Sequence, residues 1–272
     1  MFRRLISALL YALTTAIGGG VLLAPLLWPA LFRDRAEHGP LLLTLLLGAV
    51  LVALLIEAQQ ATVDTKVIAL LGVLVAINSV LRFAETAIPG PGGFSPVFFL
   101  ILITGYLFGA RFGFLMGVLT LLVSALVTGG VGPWLPAQML AAGWTGLSAP
   151  LLRWPVRLLR AEGGWLEVVM LAGAGALWGL LYGVIANLWF WPFLAVPTAQ
   201  AWAPDLPAGV ILRRYAAFYA ATSLVWDLIR AGGNVALLAL FGAPTLWTLR
   251  RFRRRFTYIY QPYQPQGVEH PG

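Results

Sequence analysis

From Leu5 to Phe32 the chain runs through 28 residues without one charged side chain, and uncharged apolar stretches recur from there almost to its far end. A helix needs about 20 mostly apolar residues to cross a bilayer, so these stretches set the solvent in which the chain folds. Composition agrees: 60% of residues are apolar and 10% charged, against roughly 25% charged in a soluble domain. The 272 residues hold eight such helices with short loops and a tail, an all-α integral membrane protein.

The first run follows Arg3 and Arg4 and is too long for the apolar core of a cleaved signal. The second, Leu41 to Ile56, closes at Glu57 and the polar stretch Gln59 to Lys66. Val67 to Phe83 ends in the loop Ala84 to Ser95, where Pro89, Gly90, Pro91, Gly92 and Gly93 forbid regular structure. Pro96 to Ala110 and Phe112 to Val127, separated by Arg111 alone, form a tight hairpin. Gly129 to Pro133 breaks the chain before a sixth helix, Trp134 to Leu152, and the basic connector Arg153 to Gly164 leads to Trp165 to Trp191. After the Pro-rich segment Pro192 to Gly209 the last helix spans Tyr215 to Phe241. Beyond Pro244 the tail is basic, then polar, and its last dozen residues read as disordered.

Alternate loops divide the cations unequally. Arg3, Arg4, Lys66, Arg111, Arg153, Arg157, Arg160, Arg250, Arg251, Arg253, Arg254 and Arg255 fall on one side; Arg33, Arg35, Arg82, Arg213 and Arg214 fall on the other, with Arg230 inside the last helix. Positive charge stays inside, so both termini are expected in the cytoplasm of a prokaryotic inner membrane. In so apolar a chain the net charge of +8 serves topology and contact with membrane lipid rather than nucleic acid.

Several chemistries drop out. Without cysteine there is no disulfide, thiolate nucleophile or cysteine metal site. His38 and His270 lie outside the apolar runs, so no buried histidine serves as base or ligand. Lys66 precedes Val67 and completes no phosphate loop, and no G-x-S-x-G elbow occurs. We expect no enzyme, no cofactor and no metal.

The last helix carries Trp226, Asp227, Arg230 and Asn234 in an otherwise apolar or small-residue run. A lone Arg or Asp at the centre of a membrane helix costs on the order of 3 kcal/mol, so these should face inward. Their spacing puts them on one face, as an ion pair that fixes packing or as the floor of a polar cavity. Aromatic residues crowd the side opposite the cations, among them Phe83, Phe94, Trp134, Tyr182, Trp189, Phe190, Trp191, Trp202, Tyr215 and Tyr219, more than an interfacial belt needs. Asn78, Arg82, Glu85, Gln138 and Asn187 lie at compatible depth, so a flat ligand rich in amides or hydroxyls suits this end. Small residues recur every four positions, at Gly105, Gly109, Gly113 and Gly117 and at Gly175, Gly179 and Gly183, a spacing that lets helices approach closely. Ala69, Gly72 and Ala76 form a similar step that suits either a bundle contact or a docking surface.

The strings Gly93-Phe94-Ser95-Pro96-Val97-Phe98-Phe99, Gly105-Tyr106-Leu107-Phe108-Gly109-Ala110-Arg111-Phe112-Gly113, Gly129-Gly130-Val131-Gly132-Pro133-Trp134-Leu135-Pro136-Ala137-Gln138-Met139 and Trp226-Asp227-Leu228-Ile229-Arg230-Ala231-Gly232-Gly233-Asn234 resemble the substrate-binding (S) components of energy-coupling factor (ECF) transporters. The resemblance covers about Lys66 to Arg255. It implies a six-helix core, residues 66–249, preceded by two extra N-terminal transmembrane helices in 1–65 and followed by the tail 250–272. It also implies a vitamin-binding protein without enzymatic activity that works with a coupling transmembrane subunit and two cytoplasmic ATPases and topples in the membrane to deliver its ligand. The loops Ala84 to Ser95, Gly129 to Pro133 and Pro192 to Gly209 would build the ligand site, and Ala69, Gly72 and Ala76 would face the coupling subunit. Among vitamins, the Gly-Pro-Trp and Gln-Met strings look most like members assigned to cobalamin, with riboflavin and thiamine as further candidates. An ion-coupled secondary transporter, which should contain discontinuous helices, and a non-catalytic lipid-handling protein are the alternatives.

Overall fold

The computed structural model describes residues 2–32, 42–52, 65–87, 92–194 and 196–256. The polar linker from Gln59 to residue 64, residues 88–91 of the Pro-Gly loop, both histidines and the tail beyond Phe256 lie outside the described residues, while Thr65 and Lys66 open a helix. All regular structure among the described residues is helical.

Two N-terminal helices, α1 (Phe2–Leu27) and α2 (Leu42–Val52), precede α3 (Thr65–Ala87), α4 (Val97–Phe108), α5 (Ala110–Thr128) and α6 (Leu135–Ser148). A 3-10 turn, Ala149–Leu152, joins α6 to the short α7 (Arg153–Leu158); α8 (Trp165–Phe190), α9 (Ala208–Thr222) and α10 (Leu224–Phe256) complete the chain. Among the described residues, five helices are long and apolar enough to cross a membrane. Of the eight expected runs, the second lies partly outside the described residues, and the inner helices α4 and α6 are short. With 12 residues α4 is about 18 Å long against a hydrocarbon thickness of about 30 Å. It is buried on all sides from Val97 to Leu107, the central post of the bundle.

The last expected helix is two helices, and this is a correction. Tyr215 belongs to α9, which stops at Ser223, and α10 then runs through Pro244 to Phe256 rather than ending at Phe241. The boundary expected at residue 249 therefore falls inside a helix. Proline within a helix costs about 3 kcal/mol, and the anchors beyond it offset that cost. Arg250 pairs with the fully buried Glu167 of α8, and Arg253 donates to the Leu107 carbonyl at 2.7 Å. Glu167 also accepts from the Tyr106 hydroxyl at 2.5 Å and from the Gly163 amide at 2.9 Å, while Arg153 donates to the Tyr106 carbonyl at 2.6 Å. This polar knot ties α4, α8 and α10 together at what we call the arginine end.

Glycines close the helix seams, as their spacing predicts. Gly113 and Gly146 pack backbone to backbone between α5 and α6, Gly105 of α4 meets Gly146, and Gly117 sits against Ala142. On α8, Gly175, Gly179 and Gly183 receive Asn234, Ala231 and Asp227 of α10 in turn. Gly109 instead makes the α4–α5 turn with φ +108°, a conformation that only glycine adopts freely.

The N-terminal extension packs on α6, α8 and α9. Trp144 donates to Thr15 Oγ1 at 3.2 Å, and Trp202 donates to the Pro25 carbonyl at 3.0 Å. In contrast α3 packs chiefly on α5 and α4 and keeps an open face. Ala69, Gly72 and Ala76 lie on that exposed face, and a Cβ on Gly72 would meet nothing within 4 Å. Among the described residues they make no bundle contact.

Candidate functional site

Opposite the arginine end, loop 92–96 lies against the start of α10, α9 leads into it, and the α5–α6 connection packs on the end of α8; we call this the loop end. Its centre is Asp227, buried in the first turn of α10 because Gly183 on α8 offers no side chain in its place. Asp227 pairs with Arg230 and accepts from the Tyr219 hydroxyl of α9 at 2.8 Å. Burial and the adjacent Asp227 carboxylate raise the Tyr219 phenol above its usual range, which keeps it a donor. Arg230 also donates to the Gly179 carbonyl at 3.3 Å and lies 5.2 Å from the centre of the Tyr182 ring. Tyr182 in turn makes an edge contact with Phe98 of α4.

Two further charged residues, Arg82 and Glu85 of α3, lie near this pair. Glu85 accepts from Ser95 at 2.8 Å and feels the charges of Arg82 and Arg230. Loop 92–96 closes over both. Gly92 lies against the Trp226 ring, Gly93, at φ +88°, against the Trp226 carbonyl, and Phe94 against Gly233. Trp226 nonetheless stays 52% exposed. Arg82, Glu85, Phe94, Tyr182, Trp226, Asp227 and Arg230 are thus brought together, as charges of both signs beside aromatic faces.

The other expected residues serve different contacts. Asn234, two turns after Asp227, donates to the Gly175 carbonyl at 2.8 Å, and its Oδ1 is buried without a partner among the described residues. Asn78 bridges α3 to the Val97 carbonyl at 3.1 Å and to Thr120 at 3.2 Å, away from the charged group. Trp189 is buried and donates to the Pro133 carbonyl, while Trp134 packs edge-on against Phe190. Gln138 is half-buried a turn beyond Trp134, and Asn187 donates to Gly183 within its own helix. The aromatic excess fills itself: Trp191, fully buried, packs on Tyr215 and stacks on Phe218. Ser95, Tyr219 and Gly183 belong to the charged group although no spacing marked the first two, and Gly183 stood out only as a packing residue.

One family matches the chain, described as ECF transporter, substrate-specific component, over residues 66–241. The match spans more than half of the sequence and contains α3 to α8, α9 and the charged turn of α10. The chain belongs to this family. No curated protein and no solved structure matches it. The match thus begins in α3, and α1 and α2 lie outside the matched region. As a member of this family the protein is a membrane-embedded substrate-binding subunit of a transporter.

Proposed function

We propose that the loop end captures a vitamin from the exterior and that the protein delivers it together with a coupling transmembrane subunit and two cytoplasmic ATPases, catalysing no reaction itself. The observation that carries this reading is the group Arg82, Glu85, Asp227 and Arg230 beneath loop 92–96. Ionisable side chains at membrane depth are expensive and mark a function by default. Here they offer both donors and acceptors next to Trp226, Phe94 and Tyr182. Cobalamin is the ligand we favour, because a ring fringed with amides suits mixed charges bordered by aromatic faces. The arginine end faces the cytoplasm in this reading, following the positive-inside rule, and places both termini there. The exposed step Ala69, Gly72 and Ala76 on α3 is the surface for the coupling subunit, since small residues allow close helix approach.

The test uses the purified full chain in detergent without nucleotide, followed by thermal unfolding and calorimetry with cobalamin, riboflavin, thiamine and their precursors. A ligand at a hundred times its Kd stabilises the fold by about 2.7 kcal/mol. One compound is expected to raise Tm, equally with and without ATP. A folded protein that binds none of them overturns the reading.

A further inference from the structure

At the arginine end, α7 and the turn after it present a largely exposed surface beyond the Arg153 anchor. Of α7 only Val156 is buried. Leu151 and Trp154 are 74% and 73% exposed, and Trp165 at the start of α8 is 77% exposed. Beside Leu151 and Trp154 opens a cavity of about 560 Å³ lined by Pro150, Leu151, Arg153, Trp154, Arg157 and Leu158. A second, of about 450 Å³, shares Arg157 and adds Arg160 and Glu162.

The charges here are poorly balanced. Glu162 lies 3.5 Å from Arg157, but both are well exposed, and a pair washed by water contributes little. Burial, and then the like charges of Arg253 and Arg157, lower the pKa of Arg153. An anion in the cavity would relieve that repulsion. Backbone geometry supplies an independent sign. Arg160 sits at φ 52°, in the position after a helix where glycine is usual, and is held there by Arg160 N–H to the Arg157 carbonyl at 3.1 Å and Ala161 N–H to the Val156 carbonyl at 2.9 Å. An arginine accepts at this turn a conformational cost that glycine would spare.

We propose that this face binds the phosphate headgroup of an anionic phospholipid. Arg157 and Arg160 hold the phosphate, and Trp154, Leu151 and Leu158 lie along the glycerol and upper acyl chain. The occupant follows from position and chemistry together. Trp165 opens a membrane-spanning segment, so α7 lies at headgroup depth, where Trp and Arg are both favoured. Exposed apolar and cationic side chains on one short element make the amphipathic face that anionic lipid surfaces attract. The site does not depend on which ligand the loop end takes.

The test reconstitutes the full chain in phosphatidylcholine vesicles and compares quenching of tryptophan fluorescence by brominated phosphatidylglycerol and brominated phosphatidylcholine. The anionic lipid is expected to be preferred about fivefold for each arginine engaged. Trp154→Phe should reduce the excess quenching, leaving the share that Trp165 reports, and Arg157→Gln should lower the preference. Arg160→Gly should lower the preference while raising Tm, because glycine relaxes the turn; a merely structural Arg160 would give the gain in Tm alone. Equal quenching by the two lipids, a preference unchanged in both arginine variants, or its abolition by millimolar inorganic phosphate would overturn the proposal. So would loss of coupling-subunit copurification in Arg157→Gln with lipid preference intact, which would assign the face to a protein contact.

Discussion

At Asp227 three helices depend on one carboxylate: α10 carries it, α9 supplies the Tyr219 hydroxyl and α8 leaves room for it at Gly183. Removing one partner of a buried pair costs about 3–5 kcal/mol, because the other charge stays desolvated. Arg230→Gln should therefore lower Tm strongly. Asp227→Asn should do so less, since an amide oxygen still accepts from Tyr219 while Arg230 keeps the Gly179 carbonyl. The double neutral variant should recover much of the stability. If these groups bind ligand, it should still bind weakly, as calorimetry on the refolded protein can tell. Recovery of full affinity would make the pair structural. The i, i+3 spacing of Asp227 and Arg230 was legible in the sequence, as was their inward orientation. The Glu85–Ser95 contact was not, because it joins a helix end to an irregular loop that no periodicity describes.

Among the elements, α3 has a face that no described residue covers. Ile68, Val73, Ile77 and Val80 are exposed there together with Ala69, Gly72 and Ala76. Gly72→Leu adds a side chain into open space, so Tm and ligand binding should hold within error while vitamin uptake by cells falls. Equal loss of binding and uptake would place this face in the fold. Apolar runs located all six core helices, since each needs an uninterrupted hydrophobic surface. They failed at the break between α9 and α10, where Thr222, Ser223 and Leu224 carry no Pro, Gly or charge to mark an end. Burial of Ile211, Tyr215 and Phe218 fixes α9 instead, and those contacts come from distant residues.

For the whole molecule, the two polar clusters bracket an apolar bundle whose glycine seams hold α4, α5, α6, α8 and α10 at close range. The knot at the arginine end should govern the length of α10. In Glu167→Gln the last turns lose their charged anchor, and hydrogen exchange after Pro244 should quicken while the turn around Asp227 stays protected. Unchanged protection beyond Pro244 would mean that propensity alone carries the helix. Nothing near Glu167 in the sequence pointed to this knot, because a carboxylate at the edge of an apolar run reads as a border, and Arg250 as one cation of a basic tail.

That partner is 83 residues away, which orders the making of the protein in time. A ribosome delivers Glu167, and with it Tyr106 and Gly163, long before Arg250, so α8 must enter the bilayer with its carboxylate still lacking a cation at the boundary. Burial of that charge waits for the final turns of α10. The bundle is therefore sealed last, from its C-terminal side, and a nascent chain cut short before Arg250 has inserted its apolar helices without closing the knot that joins them.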